Sequence, residues 1–383
     1  MDLPIDLTLV CTEKLPVPPV RGGAIQTYIE GVLPRLVARA RVRVITRTDP
    51  LLPDREERDG AEWIRLEADG YAERVLSFLR ANPSERVVIY NRPKLAGAVT
   101  VALPAARIFL SLHNEMLAPD RIDWAEAEQL LARLDRVICI SDFIRDGVCR
   151  LHPSWQTKAL TIRSGVDLSA FQPGWAAPDA RTVVRERLGL TDRRVILHVS
   201  RLSPKKGNHL VVAAMEQVLQ VCPDATLLLV GSRWYGSNDP DEYAESILSE
   251  AARLGLGARI TGWMPPSALP PYFLASDLFV CASQWEEPLA RVHYEAMAAG
   301  LPILTTDRGG NGEVVTEGVN GRFVRPHDKA ESYAQRIIEL LEDPAERERL
   351  GRAGRAQVEA QHGWRQVGER LAERLLGARE GSG

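Results

Sequence analysis

The sequence lacks any apolar run that approaches the ~18 residues a membrane-spanning helix needs, so no transmembrane segment is expected and only peripheral contact with a membrane surface stays open. It also lacks an excess of positive charge. With 48 Lys and Arg against 51 Asp and Glu the net charge is −3, so no global basic field exists to hold nucleic acid. Cysteine is sparse: Cys11, Cys139, Cys149, Cys222 and Cys281 fall mostly in apolar segments and none forms a C-x-x-C pair. That spacing argues against a cysteine zinc site and reads as buried thiols in a reducing compartment. The amino-terminal M-D-L-P-I-D-L-T-L-V has no basic lead, so it is expected to be a first strand and not a signal peptide. These features together predict a cytoplasmic protein.

What is present is a repeated alternation of apolar and amphipathic runs. In the first half the predicted strands are 7–10, 42–46, 87–90, 107–112, 136–140 and 159–162, with helices such as 24–38 and 124–134 between them. In the second half the pattern restarts at 195–199, 226–230, 259–261, 278–282, 303–305 and 321–324. Such alternation implies the α/β class, parallel sheets with helices on both faces. A chain of 383 residues is too long for one ordinary core, and two Rossmann-like domains are expected, residues 1–170 and 171–363. The boundary is placed in the Pro- and Gly-rich F-Q-P-G-W-A-A-P-D stretch. A last amphipathic, Arg-rich helix is predicted after Gly363, over about 364–378, and the tail Glu380 to Gly383 is expected to be disordered.

The stretch W-E-E-P-L-A-R-V-H-Y-E-A-M-A-A-G-L-P-I, residues 285–303, carries two carboxylates at positions 287 and 295. Pro288 suits a loop or a first helical position, and residues 289–297 read as helix, ended by Ala298, Ala299 and Gly300. The free amides of Leu289, Ala290 and Arg291 at such a helix start would favour an anion, with the Arg291 side chain adding to the field. Glu287, outside the helix, can accept from sugar hydroxyls, and Glu295, inside it, can hold a vicinal diol such as a ribose. The plainer alternative is a surface helix with scattered acids.

A second motif, V-I-L-H-V-S-R-L-S-P-K-K-G at 195–207, reads as a strand that delivers Arg201 and Lys206 to its carboxyl end, where open α/β sheets bind ligands. Two cations there suit a diphosphate, above all as it leaves with growing charge. A solvated basic loop is the alternative. In the first half, R-G-G-A at 21–24 offers Gly22 and Gly23 for close backbone approach to a phosphate or an acceptor, or a mere turn. His113 in F-L-S-L-H-N-E follows a strand, where a histidine is more often a structural hydrogen-bonder than a catalyst. Ser141 and Asp142 read first as helix caps. D-P-D at 239–241 superficially suggests a metal site, but its turn-like context favours capping of the helix from Glu242 onward, and Arg201 and Lys206 can do a cation's work.

These residues resemble the signature of the family 4 glycosyltransferases, retaining enzymes of the GT-B fold. The E-x7-E then A-M-A-x-G-x-P pattern is matched by Glu287, Glu295, Ala296, Met297, Ala298, Gly300 and Pro302, and the family's G-R-x-x-x-x-K-G is matched except for its first Gly, here Ser200. The runs E-P-x-x-R-V-H-Y-E-A and R-G-G-N-x-E-V are similar to a bacterial spore-coat branch of the family. Leu289 and Ala290 replace the usual Phe-Gly, and Arg163 and Ser164 replace Pro-Asn in I-P-N-G-V-D. The resemblance implies two Rossmann-like domains facing a cleft, with the acceptor side in the first domain, the nucleotide-sugar side in the second, and a terminal helix crossing back to the first. It implies that His113 contacts the donor sugar, that Trp263 in G-W-M lies by the nucleobase, and that Gly310 in R-G-G-N-G-E-V presents its amide near sugar and phosphate. Asn91 and Arg92 in Y-N-R-P would bind an acceptor or close the cleft. The implied reaction moves a sugar from a nucleotide-diphosphate donor, most simply a UDP-sugar, to a hydroxyl of a glycan, lipid-linked or small-molecule acceptor, in spore-coat or cell-surface glycan synthesis. No metal or other cofactor is required, and the departing phosphate takes the acceptor's proton. A nucleotide-sugar epimerase or phosphorylase of the same fold, or a non-catalytic coat protein that retains a sugar-nucleotide site, would be the rival readings.

Overall fold

The computed structural model describes residues 5–377. The tail Glu380 to Gly383 and the first four residues lie outside the described residues. The chain divides into two units: one runs up to Gly165 and resumes at Trp364, and the other spans Val166–Gly363.

The first unit holds an eight-stranded sheet made of β1 (Ile5–Val10), β2 (Val42–Arg47), β3 (Arg55–Arg58), β4 (Ala61–Leu66), β5 (Ser84–Tyr90), β6 (Arg107–Leu112), β7 (Arg136–Cys139) and β8 (Ala159–Thr161). Their spatial order is β3-β4-β2-β1-β5-β6-β7-β8. All neighbours pair parallel except β3, which pairs antiparallel with β4. That hairpin was absent from the expectations because R-E-E-R and A-E-W-I-R-L carry more charge than a strand buried on both faces tolerates. Arg65 reconciles the charge with the burial: its guanidinium pairs with Glu56 at 2.6 Å across the hairpin. The helix Ala24–Val37 packs on the last helix, Trp364–Leu376, which therefore belongs to this unit. Trp364 fills space that only glycine leaves, since a Cβ on Gly31 would lie 2.2 Å from its ring.

The second unit is built on β9 (Arg194–Val199), β10 (Ala225–Val230), β11 (Ala258–Ile260), β12 (Leu278–Cys281), β13 (Ile303–Thr305) and β14 (Gly321–Phe323). The order is β11-β10-β9-β12-β13-β14, all parallel. Successive residues of β9 alternate between faces, so Ile196 joins the apolar cluster on one side while Val195 and Leu197 join the other. From β9 the connections run outward to β10 and β11 on one side, then return to start again at β12 on the other. The strand order thus reverses between β9 and β12, the place where open α/β sheets leave a crevice at the strands' carboxyl ends.

Candidate active site

Two loops meet at that reversal, one after β9 and one after β12. The first turns through Pro204–Lys206 into the helix Asn208–Val221. The second carries Ser283 to Ala290. Their backbones are joined where the Gln284 amide donates to the Lys205 carbonyl at 2.8 Å. Their side chains are joined by Lys206, whose Nζ lies 2.5 Å from Oε2 of Glu287. The same oxygen also accepts from Ser283 Oγ and from Trp285 Nε1, each at 2.8 Å. Glu287 is only 6% exposed. Burial alone would raise its pKa, but Lys206 and the two neutral donors outweigh that and hold the carboxyl below its ordinary range. It is therefore an anchored carboxylate. The Trp285 ring lies under both lysines, with Lys205 Nζ 5.1 Å and Lys206 Nζ 5.6 Å from its centre.

The predicted helix over 289–297 is corrected by the structure. The helix runs from Val292 to Ala298, seven residues, and Leu289, Ala290 and Arg291 precede it. The amides of its second and third residues are engaged, His293 with the Ala290 carbonyl and Tyr294 with that of Arg291, both at 3.1 Å. The reason is the glycine loop that follows β13. Gly310 donates its amide to the Glu287 carbonyl at 2.7 Å, and Gly309 to Glu286 Oε2 at 2.8 Å. Those bonds hold residues 286–287 in a non-helical course, and Pro288 cannot draw them into a helix. Gly309 has φ +58°, and a Cβ there would stand 2.2 Å from the Glu287 oxygen, so the approach needs glycine. The amide of Gly310, expected to face sugar and phosphate, is thus taken up by Glu287.

Glu295 lies inside the short helix, 2% exposed, and its Oε1 pairs with Arg291 at 2.5 Å. Its Oε2 has no hydrogen-bond partner among the described residues. Burial raises its pKa, and the Arg291 pair offsets only part of that rise. Arg291 is therefore paired with Glu295 in this structure. Arg201, by contrast, has no carboxylate partner among the described residues, and its guanidinium lies over the exposed ring of Tyr235, 5.7 Å from the centre. Trp263 donates its amide to Asn238 Oδ1 at 2.6 Å. Asp241 caps the helix Glu242–Arg253, accepting the Ala244 amide at 2.9 Å, as its context predicted. No cluster of three potential metal ligands is found among the described residues.

In the first unit, Gly22 and Gly23 precede the helix Ala24–Val37, and Gly23 backs onto Leu15 and Gln26. His113, half-buried after β6, sits edge-on to Tyr28 at 5.0 Å and near Tyr90 at 5.7 Å. Enclosure by those rings depresses its pKa, so the imidazole is neutral near pH 7. Asn91 is buried and adopts φ +50°, with its Oδ1 accepting the His113 amide at 2.7 Å. Arg92 forks onto Glu13, the residue beyond β1 that closes this sheet's own reversal between β1 and β5. Asn91 is thus engaged with the His113 backbone and Arg92 with Glu13, the Arg92 side chain remaining partly exposed. Ser141 caps the helix Asp142–Leu151 by accepting the Ile144 amide at 3.2 Å, while Asp142 binds Thr161 and Arg163.

Sequence reasoning missed Ser283 and Trp285 as partners of Glu287, and His198 and Asn208 beneath Arg201. The signal for the last pair was a histidine inside the apolar run V-I-L-H-V, which a strand buried on both faces admits only when its ring nitrogens are satisfied.

Comparison with known proteins agrees with this geometry. The model of a family described as Glycosyl transferases group 1 matches residues 181–357. The chain is 40% identical over 367 residues to Spore coat protein SA of Bacillus subtilis (strain 168), covering 95% of this chain and 97% of that one. It is 38% identical over 367 residues to the Putative glycosyltransferase YtcC of the same organism, covering 95% and 90%. Among solved structures, that of Anabaena Alr3699/HepE in complex with UDP is similar with a TM-score of 0.78 at 21% identity, covering 98% of this chain and all of the other (100%). The chain, with two parallel Rossmann-like sheets of the GT-B kind, therefore belongs to the glycosyl transferases of group 1.

Proposed function

We propose that the protein transfers a glycosyl group from a nucleoside diphosphate sugar, UDP-sugar by preference, to an acceptor hydroxyl with retention of configuration. The observation that carries this reading is the pairing of Lys206 with buried Glu287 at the sheet's reversal, beside an Arg201 that has no carboxylate partner among the described residues. The diphosphate is held by Arg201 and Lys206, and the ribose diol by the unpartnered oxygen of Glu295. In the chemical step the bond from the anomeric carbon to the β-phosphate oxygen breaks. The acceptor oxygen bonds to that carbon on the same face, its proton passes to the departing phosphate, and the nucleoside diphosphate leaves. Cations already in place meet the charge that grows on the leaving group, so no metal is assigned. HepE was solved with UDP, which supports uridine as the first nucleoside to try. A relative carries the name Spore coat protein SA, and the acceptor class proposed is a spore-coat or surface-glycan precursor.

The test is a thermal-shift and calorimetric screen of UDP, ADP and GDP, followed by UDP-sugars with product analysis. A ligand bound tightly at 100 times its Kd should add about 2.7 kcal/mol of stability. If no nucleoside diphosphate shifts the protein, the donor-site reading fails. If donors bind but no sugar is ever moved to water or an acceptor, the transferase reading fails.

A further inference from the structure

Arg201 projects from a loop whose backbone is held on three sides. On the first, Ser200 donates its amide to the Val230 carbonyl at 3.1 Å and Leu202 donates to that of Ser232 at 2.9 Å. Gly231 makes this approach possible, since a Cβ there would stand 2.0 Å from the Ser200 oxygen. The other two sides are polar side chains: Asn208, 0% exposed, and His198, 2% exposed.

The hydrogen atoms of that cluster can be assigned by elimination. A carbonyl only accepts, so His198 Nδ1, 2.9 Å from the Val280 oxygen, carries the proton, and Nε2 presents a lone pair. Asn208 Nδ2 has two hydrogens and two acceptors in reach, His198 Nε2 at 3.1 Å and Ser200 Oγ at 2.8 Å. The Ser200 hydroxyl has two acceptors in reach, His198 Nε2 at 2.9 Å and the Arg201 carbonyl at 3.0 Å; with Nε2 taken by the Asn208 amino group, it donates to the carbonyl. Asn208 Oδ1 accepts the Ser203 amide at 3.0 Å. Every hydrogen is used once and every polar atom named is satisfied, an arrangement that rigidifies a buried network.

We infer that His198, Asn208 and Ser200 form a positioning network that fixes the Arg201 backbone relative to β12, the strand that leads into Glu287, the partner of Lys206. The link is physical: Val280 belongs to β12, which leads directly into Ser283 and Glu287, while Ser200 and Ser203 frame Arg201. The two cations would then be held at a set spacing before a diphosphate arrives, which lowers the ordering cost of binding. Ser200 is the position at which this chain departs from the glycine of the motif it resembles, so the hydroxyl that completes the network is this chain's own. Burial keeps His198 neutral, which preserves the lone pair that Asn208 needs; a proton on Nε2 would face the Asn208 amino group.

The inference rests on the donor-site reading, and UDP is the probe. Its Kd is measured by calorimetry for wild type, Ser200→Ala, His198→Gln and His198→Leu, with the melting temperature of each unligated protein beside it. Ser200→Ala should weaken UDP about tenfold, the scale of one lost buried hydrogen bond, with the melting point little changed. His198→Gln keeps one donor and one acceptor and should stay near wild type, whereas His198→Leu should be as weak as Ser200→Ala or weaker. Should His198→Leu fail to fold, Ser200→Ala decides. An unchanged Kd in Ser200→Ala, or a melting point that drops while Kd holds, overturns the network as a positioning device. Silence of the wild type toward UDP instead overturns the donor-site reading on which it rests.

Discussion

Lys206→Ala removes one partner of a buried ion pair and leaves the other in place. Glu287 would keep the Ser283 and Trp285 donors, each at 2.8 Å, but lose the cation at 2.5 Å that offsets its burial. Removing one member of a buried pair costs about 3–5 kcal/mol. The Lys206 side chain retains 21% exposure and two neutral donors remain, so about 2–3 kcal/mol is expected. For a unit the size of Val166–Gly363, at about 2–4 °C per kcal/mol, that lowers the melting temperature by roughly 5–10 °C. Glu287→Gln removes the charge that needed Lys206, so the double variant should recover roughly 2 kcal/mol relative to the sum of the singles. UDP gives a second, independent reading: loss of one charge-assisted contact of about 1.5–3 kcal/mol should weaken it roughly 10- to 100-fold. Denaturant unfolding with and without UDP measures both quantities. Simple additivity of the two single substitutions would refute the pair as a coupled unit, and an undiminished UDP shift in Lys206→Ala would refute its role toward phosphate.

His198 and His293 are both buried and held down to about 4, below the usual 6.5. As pH falls below about 6.5 the unfolded chain takes up protons that the folded chain refuses until about 4, so each should withdraw up to about 3 kcal/mol of stability across that window; urea titrations from pH 7 to 4 should show a shallower decline for His198→Gln, and an identical decline would count against the assignment. Glu295 must be ionised to accept two ribose hydroxyls, and its raised pKa predicts UDP affinity that falls on acidification, an acid limb that Glu295→Gln should abolish along with much of the affinity. Gly309→Ala forces a Cβ to within 2.2 Å of the Glu287 oxygen at φ +58°, and should cost about 1–3 kcal/mol or more and weaken UDP; a variant that melts and binds as wild type would show the loop yields freely.

The parallel sheets were legible because strands buried on both faces read as apolar runs and the two halves repeat one another. Boundaries held to within a few residues for β6 and β13, where apolar blocks end abruptly. The hairpin of β3 and β4 was not legible, since R-E-E-R is a strand only by virtue of cross-strand partners that composition does not reveal. The helix after Pro288 was misjudged for a related reason. Local propensity starts it at once, but the glycine loop at 309–310, some twenty positions away in sequence, captures the backbone of residues 286–287 and delays the helix to Val292.

The site shows the same division. Residue types at strand ends identified Lys206, Glu287 and Glu295, but their assignments depended on who reaches whom. Sequence spacing made Glu287 a ligand for sugar hydroxyls. In the structure its Oε2 is filled by Lys206, Ser283 and Trp285, so its first duty is to hold a lysine in place. Glu295, paired through one oxygen with Arg291 and buried at the other with no partner among the described residues, has capacity left for a hydroxyl donor. A ligand that brings both a diphosphate and a diol would draw on Lys206 without dismantling its anchor and would satisfy a carboxylate oxygen that burial leaves unmet. That asymmetry between two glutamates of one motif makes a nucleoside diphosphate a better fit than inorganic pyrophosphate, and competition between the two for the same site would measure how much the ribose contributes.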